Sequence, residues 1–241
     1  MLEKIEKFQI LLLSVVIMLG LIISSIVVTN ALSKNSITVT GSYSQNVISD
    51  NGSFEFEINV RNPQKSTAYQ ILDKQKPIVV DYLIKKGFKK EEVDSRTISC
   101  YPSYKINANG NTTNEIAYYN VSQNFSVKSN DVNKIKDVST EISSLVNQGI
   151  DMNVYNPSYF YSGLSDLKVK MLEEATKDAR QRASAMLKAT HNRVGKIQSL
   201  KMGVFQITPI YSNNVSDSGI SDTTTIEKKI TAVANVTFGV K

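Results

Sequence analysis

Between Lys7 and Lys34 the chain carries no charged residue, and from Phe8 to Val28 (FQILLLSVVIMLGLIISSIVV) it is apolar apart from Gln9, three serines and Gly20. A hydrocarbon core about 30 Å thick is crossed by roughly 20 helical residues rising about 1.5 Å each. The 21 residues of this stretch are therefore long enough to span, with Phe8, Leu12, Val16, Leu19, Ile23 and Val28 distributed along it. The competing reading is a cleaved secretory signal, whose apolar region is usually about 7 to 15 residues and is followed by small residues, such as those ending at Ala31. Length favours a retained anchor. Basic residues resist translocation, and Lys4, Lys7 and the amino terminus precede the stretch, whereas only Lys34 follows before Arg61. Residues 1–7 are accordingly expected in the cytoplasm, 8–28 in the cell membrane as a single pass, 29–36 as a linker and 37–241 as an extracytoplasmic domain.

Composition removes much familiar chemistry. One cysteine permits no intrachain disulfide and no cysteine-based zinc site, and one histidine permits no His-rich metal centre. There is no Gly-x-Ser-x-Gly elbow, phosphate loop or dinucleotide fingerprint. No cofactor and no catalytic activity are expected. With 28 basic against 22 acidic residues the net charge is +6, but the charged fraction of 21% is below the globular norm of about 25%, so a nucleic-acid partner is not implied. The lysine excess, including Lys85-Lys86 and Lys89-Lys90, suits either plain solubility or anionic partners such as envelope polymers and lipid head groups. Six Asn-x-Ser/Thr sequons match chance in a chain this rich in those residues.

Beyond the apolar stretch, two periodicities alternate. Ile37 to Gly41 reads as a short strand, and Phe54 to Val60 places its apolar residues on even positions, the mark of a sheet with one wet face. Ser66 to Lys86 has helical spacing, closed by Gly87, with Pro77 predicting a kink near Asp73 or two shorter helices. Val93 to Lys105 and Glu115 to Lys128 form a predicted hairpin across an Asn/Gly/Thr turn; Ala117, Tyr119, Val121, Phe125 and Val127 make an apolar face that Gln123 interrupts. Val132 to Leu145 is amphipathic and ends at Gly149, and Ile150 to Tyr155 suggests a strand. From Leu164 to about Thr190 a long helix carries Leu164, Leu167, Met171, Ala175, Ala179, Ala183 and Met186 as one stripe. Val194 to Ile207 is strand-like, residues 210–225 form a polar loop expected to be mobile, and Ile226 to Val240 alternates cleanly. The fold class is α+β, with mixed or antiparallel sheets, helices packed on one side, and two βαβ-like lobes suggested by the echo of strand, helix, Gly and strand from Phe54 and again from Ala117.

Ile37-Thr-Val-Thr-Gly-Ser42, Pro102-Ser-Tyr104, Tyr119 to Val127, the alanine-rich Leu164 to Ala183 and Val194-Gly195 together resemble the SIMPL-domain family of bacterial envelope proteins. Ala117 and His191-Asn192 stand where that family commonly has glycine. The resemblance implies an exported, oligomer-prone α+β domain linked to envelope and stress physiology, with no established reaction and no catalytic residues to carry over.

The remaining candidates are modest. His191 sits where a helix C-terminus favours a cation, and Cys100 shares strand parity with Ile98 and should face the core. Glu173 with Lys177, and Asp178 with Arg182, read as surface i,i+4 pairs. Tyr155, Tyr159 and Tyr161, flanking Asn156-Pro157, form a candidate interface, balanced against a corner packed within one monomer, the latter favoured for Phe160. The expectation is a membrane-anchored extracytoplasmic protein acting by self-assembly, as a homo-oligomer, or by partner binding. Contacts would come from the alanine stripe, the tyrosine corner and outward strand edges. The alternative is an exported hydrolase or ligand-binding protein with an unrecognised site, which a deep pocket converging on perturbed polar groups would favour.

Overall fold

The computed structural model describes the backbone of residues 2–32 and 35–241, and the side chains of 12–28 and 35–241. Helix α1 (Leu2–Leu32) carries the apolar stretch and runs into the segment expected as a linker. Leu12, Val16, Leu19, Ile23 and Val28 are all exposed on it. Among the described residues no helix is long and apolar enough to cross a membrane. The predicted span also takes in Phe8 to Leu11, whose side chains lie outside the described residues.

Among the described residues the remainder forms two five-stranded sheets and three further α-helices. It divides into two compact units that share segments: Met1–Tyr43, Lys170–Val204 and Ala232–Lys241 make one, and Ser44–Val169 with Phe205–Thr231 make the other. This departs from two consecutive lobes. The cause is strand pairing, because both predicted βαβ halves lie in the second unit and share one sheet.

In that second unit, β2 (Asn51–Asn62), α2 (Lys65–Lys85) and β3 (Val93–Ile106) are followed by β4 (Thr112–Ser129), α3 (Val132–Glu141) and β5 (Asp151–Val154). The strand order β3-β4-β2-β5, all antiparallel, with β2 paired to β4 from Gly52–Ser129 to Asn62–Tyr119, is the split βαβ arrangement. A short β6 (Ser158–Phe160) extends the outer side of β2. Even positions of β2 (Phe54, Phe56, Ile58, Val60) meet Leu72, Val79 and Leu83 of α2 and Ile135 and Val138 of α3 in one core, the rings of Phe56 and Phe125 stacked 5.0 Å apart. Gly87 and Gly149 both take the predicted left-handed conformation at helix ends.

Pro77 does not divide α2. Both Pro77 and the Asp73 carbonyl position it deprives of a donor are exposed, so water can serve that carbonyl while the seam on either side keeps the helix whole. Gln123 is accommodated by a bulge that pairs its amide nitrogen, while its Oε1 stays buried without a partner. Between Ser95 and Ile98 β3 holds one extra residue relative to β4, and the buried Gln123 amide donates to the Arg96 carbonyl at 2.7 Å inside that bulge.

The first unit contains the N-terminal part of β1 (Ser36–Ile48, longer than expected), most of α4 (Leu164–Lys188), β7 (Val194–Met202) and the C-terminal part of β10 (Glu227–Val240). β10 pairs antiparallel with β7, and its outer-face hydroxyls reach β1 through Thr38–Thr237 at 2.9 Å. The buried stripe of α4 runs Leu167, Met171, Ala175, Ala179, Ala183, Leu187. Met186 is exposed, because a ridge of strict four-residue spacing passes from Ala183 to Leu187.

The predicted strand Val194 to Ile207 breaks into β7 and β8 (Gln206–Pro209), and a two-residue β9 (Ile220–Ser221) lies parallel to β8. The polar loop between them is not loose. Gln206, buried, donates from Nε2 to the Ser216 carbonyl at 2.6 Å and accepts from the Ser216 amide, and Lys229 Nζ donates to the Ser212 carbonyl at 2.8 Å.

Candidate functional site

Three of the sequence-predicted features turn inward. The alanine stripe of α4 is spent on β1, where Ser42 N donates to Asp178 Oδ2 at 2.8 Å, so it offers no external contact. Tyr159 is 4% exposed and packs in the core of the second unit, its amide donating to the Thr223 carbonyl at 2.7 Å. Cys100 packs against the same core opposite Val121. His191 itself, not Asn192, adopts the left-handed backbone (φ 59°), with His191 N donating to Lys188 O and Asn192 N to Leu187 O, a complete helix-terminating pair. The ion pairs Glu173–Lys177 and Asp178–Arg182 form at 2.7 and 2.8 Å on the exposed side of α4. Glu174 joins the first, and its carboxylate together with that of Glu173 pushes the Lys177 ammonium above its ordinary range.

Other features turn outward. Tyr155 is exposed and Tyr161 half-buried, and Phe160, expected to pack, is 47% exposed because its partner across the sheet is the outward-facing Asn51. The second unit also has an exposed apolar surface that sequence patterning did not single out. Pairing of β2 with β4 ends at Tyr119, so residues 112–118 pair with β3 alone and form a two-stranded ribbon. Tyr104 stands opposite Ile116 there, and Tyr104, Ile106 and Ile116 are all exposed, Ile106 at 70%. The signal was present in the mismatch between the long hairpin and the shorter neighbouring strand, but reading it required the register. A two-stranded ribbon is marginal in water, and clustered exposed apolar side chains mark contact surfaces.

Among the described residues the most buried ion pair is that of Lys228 with Asp222. Lys228 Nζ lies 3.4 Å from Asp222 Oδ2 with side chains only 3% and 8% exposed, and it also donates to the Asp222 carbonyl at 2.8 Å. Burial works against the Asp222 carboxylate, but the hydroxyls of Thr225 and Thr224, the Thr224 amide and the Lys228 ammonium outweigh it and hold the carboxyl at about 2. For Lys228, burial prevails and the ammonium is pushed below its ordinary range. Tyr159, Tyr161, Leu164, Ile207 and Ile230 surround the pair, leaving a cavity of about 80 Å³. Every strong bond of the pair is internal, so its chemistry closes the loop onto β8 and β10. No three His, Cys, Asp or Glu side chains gather in a metal-holding group among the described residues.

The family model described as SIMPL, protein of unknown function (DUF541), matches residues 37–238. No curated protein matches the chain.

Proposed function

The chain belongs to the SIMPL family, and from that premise we propose that it works by contact and not by catalysis: a membrane-tethered, extracytoplasmic protein that assembles with copies of itself or holds a partner at the envelope. The observation that carries this reading is the β3–β4 ribbon, whose Tyr104, Ile106 and Ile116 are exposed where no neighbouring strand supports them. The tether rests on α1, whose residues 12–28 are helical, uncharged and exposed throughout, with Lys4 and Lys7 before them and Lys34 after. A soluble protein gains nothing from so much exposed apolar surface, whereas a bilayer removes it from water at about 25 cal/mol per Å².

The test is crosslinking of the full-length protein in cells followed by mass measurement, comparing the native chain with a Tyr104→Ser/Ile106→Ser/Ile116→Ser variant. The native chain should yield discrete higher-mass species from the membrane fraction, and the variant should lose them while keeping its thermal transition. A monomer at every crosslinker concentration would refute the reading, as would species unchanged in the variant.

A further inference from the structure

A groove of about 720 Å³ lies at the end of the second unit's sheet, where β6, β2 and β4 meet. Strand register sets its contents. Phe160 on β6 stands opposite Asn51 on β2, and Ser53 on β2 stands opposite Lys128 on β4, so ring, amide, hydroxyl and ammonium point from one face in adjacent rows. Neighbouring strands lie about 4.8 Å apart, which spaces these groups for one ligand to touch several.

Two sets of polar groups line the groove. Glu92 and Asp131 are committed: Glu92 accepts from the Lys89 amide and from Ser129 Oγ, and Asp131 accepts from the Lys134 amide as the N-cap of α3. Lys128, Glu91, Ser53 and Asn130 have no side-chain partner among the described residues. Asn51 is held from behind. Its Nδ2 donates to Asp50 Oδ1 at 2.9 Å, and Asp50 is itself fixed by the Ser162 amide at 2.8 Å and the Ser162 hydroxyl at 2.5 Å. That fixes the direction of the remaining acceptor, Asn51 Oδ1, before any ligand arrives.

An exposed phenyl ring amid uncommitted amide, hydroxyl and oppositely charged groups matches one kind of molecule: a sugar, with an apolar C–H face for the ring and hydroxyls for the rest. The free charges are of both signs, and the α3 N-terminus is already capped, so a bare anion has little to gain. At this end β2 is already paired on one side with β6 and on the other with β4, so an extended peptide finds no free edge of β2 to join. A preset carbonyl acceptor beside the ring suits the N–H of an acetamido group. We propose that this groove binds an N-acetylated amino-sugar oligosaccharide, with Phe160 as the stacking platform and Asn51 as the acetamido acceptor. It rests on the envelope reading only in that such polymers lie outside the cytoplasm.

The probe is N-acetylated chitotetraose, offered to the full-length protein in lipid nanodiscs and followed by saturation-transfer NMR and calorimetry. Binding should be weak but saturable, and Phe160→Ala should lower affinity at least tenfold while Phe160→Tyr keeps it within about threefold. Asn51→Ala should lose the preference for chitotetraose over cellotetraose, which lacks acetamido groups. Each variant is checked by its thermal transition; should Phe160→Ala not fold, the Asn51→Ala comparison decides alone. No saturation transfer at millimolar sugar, equal binding by Phe160→Ala, no preference over cellotetraose in the native chain, or displacement by inorganic phosphate at matched ionic strength would each overturn the proposal. Because binding is read on purified protein, its failure leaves crosslinking in cells untouched.

Discussion

A Cβ on Gly41 would lie 2.2 Å from the Ala175 carbonyl oxygen and 2.4 Å from the Ala179 amide, both backbone atoms of α4. Neither can swing aside as a flexible side chain would, so Gly41→Ala should cost about 3 kcal/mol or more, measured as a drop in the urea midpoint. The alanines that the sequence displays as a stripe are the other half of this contact. His191 makes the opposite case. Its backbone sits in the left-handed region at φ 59°, where a side chain costs about 1–2 kcal/mol that glycine does not. His191→Gly should therefore raise stability by about 1 kcal/mol, read from the same denaturation curves, and leave the charge at this helix end unmissed. Which of His191 and Asn192 would turn left-handed was not legible beforehand, because both tolerate it and only the bond from Asn192 N to Leu187 O selects between them.

Among the elements, α2 tests how far a local rule reaches. Proline in a helix interior costs about 3 kcal/mol, yet Pro77 is accommodated on the exposed side of a helix whose Ala68, Leu72, Val79 and Leu83 are fully buried. Pro77→Ala should restore the bond to the Asp73 carbonyl and raise the unfolding midpoint, by about 1–3 kcal/mol in free energy. The loop from β8 to β10 is governed by the Asp222–Lys228 pair, and its stability should follow pH in two windows. The Asp222 carboxyl is lowered from 3.8 to about 2 in the folded chain. Its contribution is thus present above pH about 4 and lost as pH falls toward 2, on the order of 2 kcal/mol. Lys228 is lowered too, so the folded chain releases its proton before the unfolded chain does, and stability rises with pH between its folded value and 10.5. Denaturation midpoints from pH 2 to 5 should show the first slope, and Asp222→Asn should abolish it. Composition marked this stretch as loose because its serines and asparagines resemble those of disordered chains. The buried Gln206 and Lys228 that tie it down lie just outside the polar run.

For the whole molecule, the proposed tether and the folded body should separate. Deleting residues 2–32 should move the protein from the membrane to the soluble fraction, leaving the unfolding midpoint of the remainder within about 0.5 kcal/mol of the full chain in free energy. Retention in the membrane fraction would show that another surface does the holding. Strand alternation, helix spacing, the glycine caps and the central hairpin were legible in the chain alone because each arises from neighbours within a few residues. The SIMPL resemblance was legible for the same reason, its motifs being local runs. Tertiary structure decided what each apolar face meets: the alanine stripe turned inward onto Gly41, Tyr159 entered the core while Phe160 faced outward, and Met186 was left exposed. It also decided that two βαβ halves share one sheet while Asn35 and Val240, distant in sequence, meet in the other unit. Those outcomes depend on register and on partners distant in sequence, and a one-residue change of register exchanges the two faces of a strand without altering its pattern.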